Sequence, residues 1–245
     1  MVEPASYRAA HLPGAILVEP RELVCGIAPA TGRLPGPERL TALFSRIGYR
    51  PDLDIVACDD EGGGWAGRFL WTLDVIGHRN WGYLNGGVHA WISAGRRVET
   101  GAGPYPVPTR VSLEIDTEPI AEADDVVNAI GDSGQVIWDV RSAEEFHGLR
   151  RAARRAGHIP GAVNLDWLAL KNPYDSQRLV RDIEGLLSRH GIGPDKSIIT
   201  HCQTHHRSGL SYLVGRLLGY PNIRAYHGSW SEWGNRDDLP VTLNE

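Results

Sequence analysis

The chain repeats itself. His11-Leu12-Pro13-Gly14-Ala15 returns as His158-Ile159-Pro160-Gly161-Ala162. Residues 47–52 return as residues 191–196, and Asp54-Ile55-Val56-Ala57-Cys58 returns as Ser197-Ile198-Ile199-Thr200-His201. Gly77, Gly86 and Trp91 return as Gly219, Gly228 and Trp233, each 142 positions later. Chance explains one echo, but an ordered series at a nearly fixed offset requires two homologous domains. A length of 245 residues accommodates two domains of ordinary size. The spacing predicts a first domain over residues 1–102, a linker over 103–116 and a second domain over 117–245. Gly101-Ala102-Gly103-Pro104-Tyr105-Pro106-Val107-Pro108, rich in glycine and proline, marks the start of that linker.

Inside each copy, short apolar runs alternate with stretches of helical length. The second copy gives a strand at Val136-Ile137-Trp138-Asp139, a helix from Leu179 to Arg189, a strand over 197–201, a helix over 209–219 and a strand over 223–226. Such alternation predicts βαβ units: an α/β fold in which each domain is a parallel sheet flanked by helices. Ligands of such sheets bind outside the carboxyl ends of the strands. Several classes are excluded. No apolar run is long enough to span a membrane, and a net charge of −5 argues against a nucleic-acid binder. Three cysteines without an even framework, and no leader pattern at the start, predict reduced thiols and a cytoplasmic location.

The chemistry concentrates in His201-Cys202-Gln203-Thr204-His205-His206-Arg207-Ser208, between the strand over 197–201 and the helix that follows. At a strand-to-helix turn, main-chain N–H groups converge and the helix dipole favours an anion. The first anion favoured there is the thiolate of Cys202, since cysteines so placed have pKa values of roughly 3.5–7.5. A lone cysteine is ordinarily a small buried hydrophobe, yet a core position is not followed by five polar residues. Zinc is a second alternative, with Cys202, His205 and His206 as ligands, but these lack the spaced pairs of structural zinc sites. Four residues separate Cys202 from Arg207. Cysteine phosphatases have one more, in a loop that wraps a tetrahedral oxyanion; the tighter turn suits a single terminal sulfur.

The loop, together with Gly219-Tyr220-Pro221 and residues 228–235, resembles the rhodanese family of sulfurtransferases. Cys-Gln-Thr-His-His-Arg is similar to the loop of bacterial tandem-domain thiosulfate sulfurtransferases of the Azotobacter type. The resemblance implies two rhodanese-like domains and transfer of a sulfane sulfur from thiosulfate to cyanide or a thiol through a Cys202 persulfide. It implies a substrate pocket formed by Gln203, Thr204, His205, His206 and Arg207, with Trp167 as an aromatic near the cleft. Main-chain N–H groups of residues 203–207 would stabilise the terminal sulfur, and Arg207 would orient the sulfonate or brace the loop. His205 and His206 are expected to respond to pH near neutrality. No metal or organic cofactor is required.

The first copy differs. Its turn reads Asp59-Asp60-Glu61-Gly62-Gly63-Gly64, with Asp59 in place of the cysteine. A carboxylate cannot carry a sulfane sulfur, so this domain is expected to be inactive, to help close the cleft, and to leave the acidic turn as a solvated loop. Relative to the family it also lacks a first helix and a first long strand, either lost or left out by a late start codon, and exposed strand edges are expected. Asp139 with Arg141 is read as a structural pair, Trp230 and Trp233 as core, and Cys58 as inert; Cys25 is undecided. Alternatives to thiosulfate chemistry are a 3-mercaptopyruvate sulfurtransferase, whose Cys-Gly-Ser-Gly type of loop these residues do not match; a cysteine phosphatase or arsenate reductase; and a sulfur-carrier or regulatory module acting on a protein partner.

Overall fold

In a computed structural model, residues 2–243 are described. The first unit contains α1 (Pro4–Ala9), α2 (Pro37–Arg46), β1 (Ile55–Ala57), α3 (Gly64–Val75), β2 (Trp81–Tyr83) and α4 (Gly87–Ser93). The second opens with β3 (Ile120–Ala121), α5 (Ala123–Ala129), β4 (Gln135–Asp139), α6 (Ala143–Phe146), β5 (Val163–Asn164), β6 (Lys171–Asn172) and β7 (Arg178–Leu179). It continues through α7 (Ile183–Arg189), β8 (Ser197–His201), α8 (Arg207–Leu217), β9 (Ile223–Tyr226) and α9 (Ser229–Trp233).

The main sheet of the second unit has the order β3-β9-β8-β4-β5, with every pairing parallel. β4 and β8 lie at its centre and are buried from their second residue onward, as their near-continuous apolar sequences require. The carboxyl end of β8 presents Cys202. The helix expected from Leu179 begins only at Ile183. Asp182 caps it by accepting from the Gly185 N–H at 3.2 Å, while Arg178 and Leu179 pair antiparallel with Lys171 and Asn172. A side chain that caps a helix start outweighs the apolar pattern continuing upstream of it.

The repeat is visible in detail. His11 bridges Glu99 and His158 bridges Thr242. Tyr7 stacks on His11 at 3.9 Å and Phe146 stacks on His158 at 3.7 Å. α1 is therefore the counterpart of α6, and β3, α5 and β4 have no counterpart among the described residues. β1 pairs only with β2, which leaves Val56 69% exposed beside an apolar cleft lined by Ala15, Ile16, Val18, Ile55 and Ala57.

The two units share one hydrophobic core, running from Leu40, Phe44 and Leu70 to Val136, Leu165 and Leu213. Its centre is the crossing of α3 and α8. Every residue of α3 from Ala66 to Val75 is buried, the pattern of a helix enclosed on all sides. Gly67 and its repeat equivalent Gly209 meet there, main chain against main chain; a Cβ on either would fall inside the opposite backbone.

Candidate active site

β8 ends at His201, the chain turns through Cys202 to His206, and α8 begins at Arg207. His205 holds the turn with a left-handed φ of 52°, a conformation uncommon for a residue with a Cβ. Ser229 pins the turn from α9: its Oγ accepts from the N–H groups of Cys202 at 3.3 Å and His205 at 3.1 Å, and donates to the Tyr226 carbonyl at 2.9 Å. The His205 N–H is thus already engaged. The N–H groups of Gln203, Thr204, His206 and Arg207 have no acceptor among the described residues. The Cys202 Sγ accepts from the Ser208 hydroxyl at 3.5 Å and from the Ser208 main-chain N–H.

Cys202 is 1% exposed. Burial pushes its thiol up, but the Arg207 guanidinium, the two Ser208 donors and His206 outweigh it, holding the thiol below its ordinary value. Arg207 is gripped by Glu145, which accepts from its two terminal nitrogens at 2.6 and 2.9 Å. Of its two expected roles, the geometry favours bracing the loop. Behind the loop, Asp139 and Arg141 form a fully buried pair at 2.6 Å, with His201 at 3.7 Å from the same carboxylate. That pair is structural, and Trp230 and Trp233 are core at 1% and 0% exposure.

The other expected pocket residues separate. Gln203 turns away, its side-chain amide donating to the Ala152 carbonyl at 2.9 Å. The Thr204 main chain lies directly against Gly32 of the first unit. His205 is fully buried, its ring edge-on to Trp71 at 4.5 Å and its Nδ1 2.8 Å from the Ser208 hydroxyl. Burial, with Arg68 and two further histidines nearby, holds His205 well below its ordinary value. The expectation that it responds near neutral pH is therefore corrected: it is neutral there. His206 stands at the rim, hydrogen-bonded to the Glu61 carboxylate and stacked on Trp65 at 4.4 Å. Trp167 lies 5.7 Å from the His206 ring, with the Lys171 ammonium 3.8 Å over its face. The Cys202 sulfur and the His205 ring both meet the Ser208 hydroxyl, whereas His206 turns to Glu61; the three do not assemble the zinc ligand set left open by the sequence.

The acidic turn of the first unit is no solvated loop. Asp59 is wholly buried, and its carboxylate accepts from the N–H groups of Glu61, Gly62, Gly63 and Ala66 at 2.8–3.3 Å. It fills the cradle that its counterpart loop offers to a sulfur. Glu61 reaches across to His206, and its carbonyl accepts from Lys171. Sequence reasoning missed Glu61 and Trp65 at the rim, Lys171 buried just behind it, and Arg68, Glu145 and Ser229, which support the loop. Lys171 had one signal: it is one of only two lysines in a chain whose other basic residues are arginines. Cys58 follows β1, and burial pushes its thiol up, in line with an inert thiol. Cys25 is half-buried, with its sulfur 3.4 Å from the Ala30 carbonyl.

A doubled α/β unit with a cysteine of lowered pKa at one strand-to-helix turn and a buried carboxylate at the other defines a two-domain protein whose two turns differ in chemistry. The rhodanese-like domain matches residues 2–94 and again 122–236, and the chain belongs to the rhodanese family. It is 48% identical to the thiosulfate sulfurtransferase of Azotobacter vinelandii and 46% identical to that of Pseudomonas aeruginosa, in each case over 98% of this chain and 88% of the relative. It is 32% identical to the sulfur carrier protein TtuD of Thermus thermophilus, over 98% of this chain and 87% of that protein. Among solved structures, the anaerobic ergothioneine biosynthesis enzyme of Chlorobium limicola superposes with a TM-score of 0.87 at 22% identity, over 99% of this chain and 63% of that one. That likeness concerns the fold alone. No helix among the described residues is long and apolar enough to cross a membrane.

Proposed function

We propose that the chain is a thiosulfate sulfurtransferase, moving a sulfane sulfur from thiosulfate to cyanide or a thiol through a persulfide on Cys202. The observation that carries this reading is the buried, pKa-lowered thiol of Cys202 at the start of a turn whose N–H groups of Gln203, Thr204, His206 and Arg207 lack acceptors. The Cys202 thiolate attacks the outer sulfur of thiosulfate; the new S–S bond forms as the sulfur–sulfonate bond breaks, and sulfite leaves with the electron pair. The terminal sulfur then takes its donors from the loop, where preorganised N–H groups are typically worth about 3–4 kcal/mol each. An acceptor thiolate or cyanide attacks that sulfur and Cys202 leaves as thiolate, a double-displacement scheme. Lys171, buried behind Trp167, adds positive charge on the side from which the dianion arrives. Reduced thiols fit a cytoplasmic setting.

Intact mass after incubation with thiosulfate tests the reading. The expected result is a gain of one sulfur atom, removed by cyanide with thiocyanate formed, and absent in Cys202→Ser. An adduct formed with mercaptopyruvate but not thiosulfate would move the chain to that sister activity. A protein acceptor is a second reading, favoured by a partly exposed rim built from Trp65, Trp167 and His206, with Lys171 buried against Trp167, and by the likeness to a sulfur carrier protein. Faster transfer to a protein thiol than to cyanide would establish it.

A further inference from the structure

The least expected charge in the molecule is Arg68. It lies in the second turn of α3, in the unit without a cysteine nucleophile, and is 0% exposed. Buried guanidinium groups are normally paired with carboxylates. Arg68 has no ion-pair partner among the described residues. Its terminal nitrogens donate to the Leu23 carbonyl at 2.7 Å and the His205 carbonyl at 3.4 Å, its Nε has no acceptor, and its carbon sits 4.6 Å over the Trp71 ring. The repeat equivalent of Arg68 is Leu210, so the charge is peculiar to this copy.

The position of this charge gives it a role. The backbone of Arg68 packs directly on Gly209 at the start of α8. The carbonyl it holds belongs to His205, the left-handed residue of the catalytic turn. We propose that Arg68 is a positioning residue contributed by the first unit: it fixes the His205 carbonyl and supplies, from beneath the loop, the positive charge against which the anionic sulfur of Cys202 is set. This rests on the persulfide reading above, in which Cys202 works as a thiolate and returns as one.

The electrostatics agree. Burial pulls the guanidinium down to about 9, and the group that opposes this most is Cys202 rather than any carboxylate. Other charges face Cys202 as well. Arg207, backed by Glu145, and His206, backed by Glu61, act from its own loop and rim. Beneath it, His205 and His227 are held below their ordinary values by burial and are neutral near pH 7. Asp139 is engaged by Arg141. Arg68 is therefore a charged group without an opposite charge of its own until the thiol ionises.

The test is the pH dependence of Cys202 alkylation by iodoacetamide, read on the Cys202-containing peptide by mass spectrometry in the full chain. Reaction follows the thiolate. In Arg68→Met the half-point is expected to move up by about one pH unit, with the rate on the acid side of the wild-type half-point falling about tenfold. Arg68→Lys is expected to return most of that loss. Should Arg68→Met fail to fold, Arg68→Gln keeps a donor for the His205 carbonyl without the charge and is expected to show the same upward move. A folded Met or Gln variant with the wild-type profile would overturn the proposal, as would a folded Lys variant that restores nothing. Because alkylation needs no sulfur donor, failure of wild-type protein to take sulfur from thiosulfate would sink the persulfide reading without touching this result.

Discussion

At the scale of single residues, the site buries titratable groups that water would otherwise leave free to take up protons. His201 and His205 are both 0% exposed, and burial holds each below its ordinary value, with Asp139 partly opposing this for His201. The unfolded chain takes up protons on both as pH falls through about 6.5, while the folded chain refuses them until its lower values are reached. Stability is therefore fully present above about pH 6.5 and lost below it, at up to about 1.4 kcal/mol per pH unit for each histidine. Urea midpoints are expected to fall between pH 7 and pH 5.5, and His205→Asn should flatten the slope by the share of one proton. An unchanged slope in that variant would mean that His205 is protonated in the fold.

At the scale of elements, the two strand-to-helix loops are homologous but not the same size. Ile55 and Ile198 are equivalent strand residues, 143 apart, whereas Trp81 and Ile223, their partners in register, are 142 apart. The first loop holds one extra residue, and Trp65 and Ala66 stand where the second has Arg207 and Ser208. Asp59→Cys in a Cys202→Ser background is therefore expected to take up no sulfur from thiosulfate, as read by intact mass; a stable adduct would show that the loop length and its missing arginine do not matter. The extra residue was legible in the sequence as the slip from one repeat offset to the other. The strand, the polar loop and the helix after Cys202 were legible too, because each is a local pattern. Glu61, Arg68 and Lys171 were not: Glu61 and Arg68 meet the loop across 145 and 137 positions of chain, and Lys171 meets Glu61 across 110. No periodicity records a contact that only the docking of two units creates. The acidic turn misled for the same reason, since Asp59 reads as solvent-seeking until its four N–H partners are seen.

At the scale of the whole molecule, the units form one cooperative body. A single core crosses the boundary, and the Tyr212 hydroxyl donates to the Asp74 carboxylate at 2.7 Å across it. Residues 117–245 expressed alone would expose the buried face of α8, including Leu210 and Leu213, an apolar patch of the kind that drives association. They are expected to aggregate or to lack a cooperative thermal transition by circular dichroism, while the full chain unfolds in one step. A soluble fragment with a sharp transition would show that the second unit is self-sufficient.

Where Gly67 meets Gly209, the two halves touch without side chains between them. Layers of side chains are what let packed helices slide; here there is no such lubricant, and the halves are riveted at their midpoint. A protein joined in this way does not gape to load and unload. Its cargo is expected to pass by the rim framed by Trp65, His206 and Trp167 without the halves parting, so that fit to that rim, and not an opening motion, sets which molecules are taken.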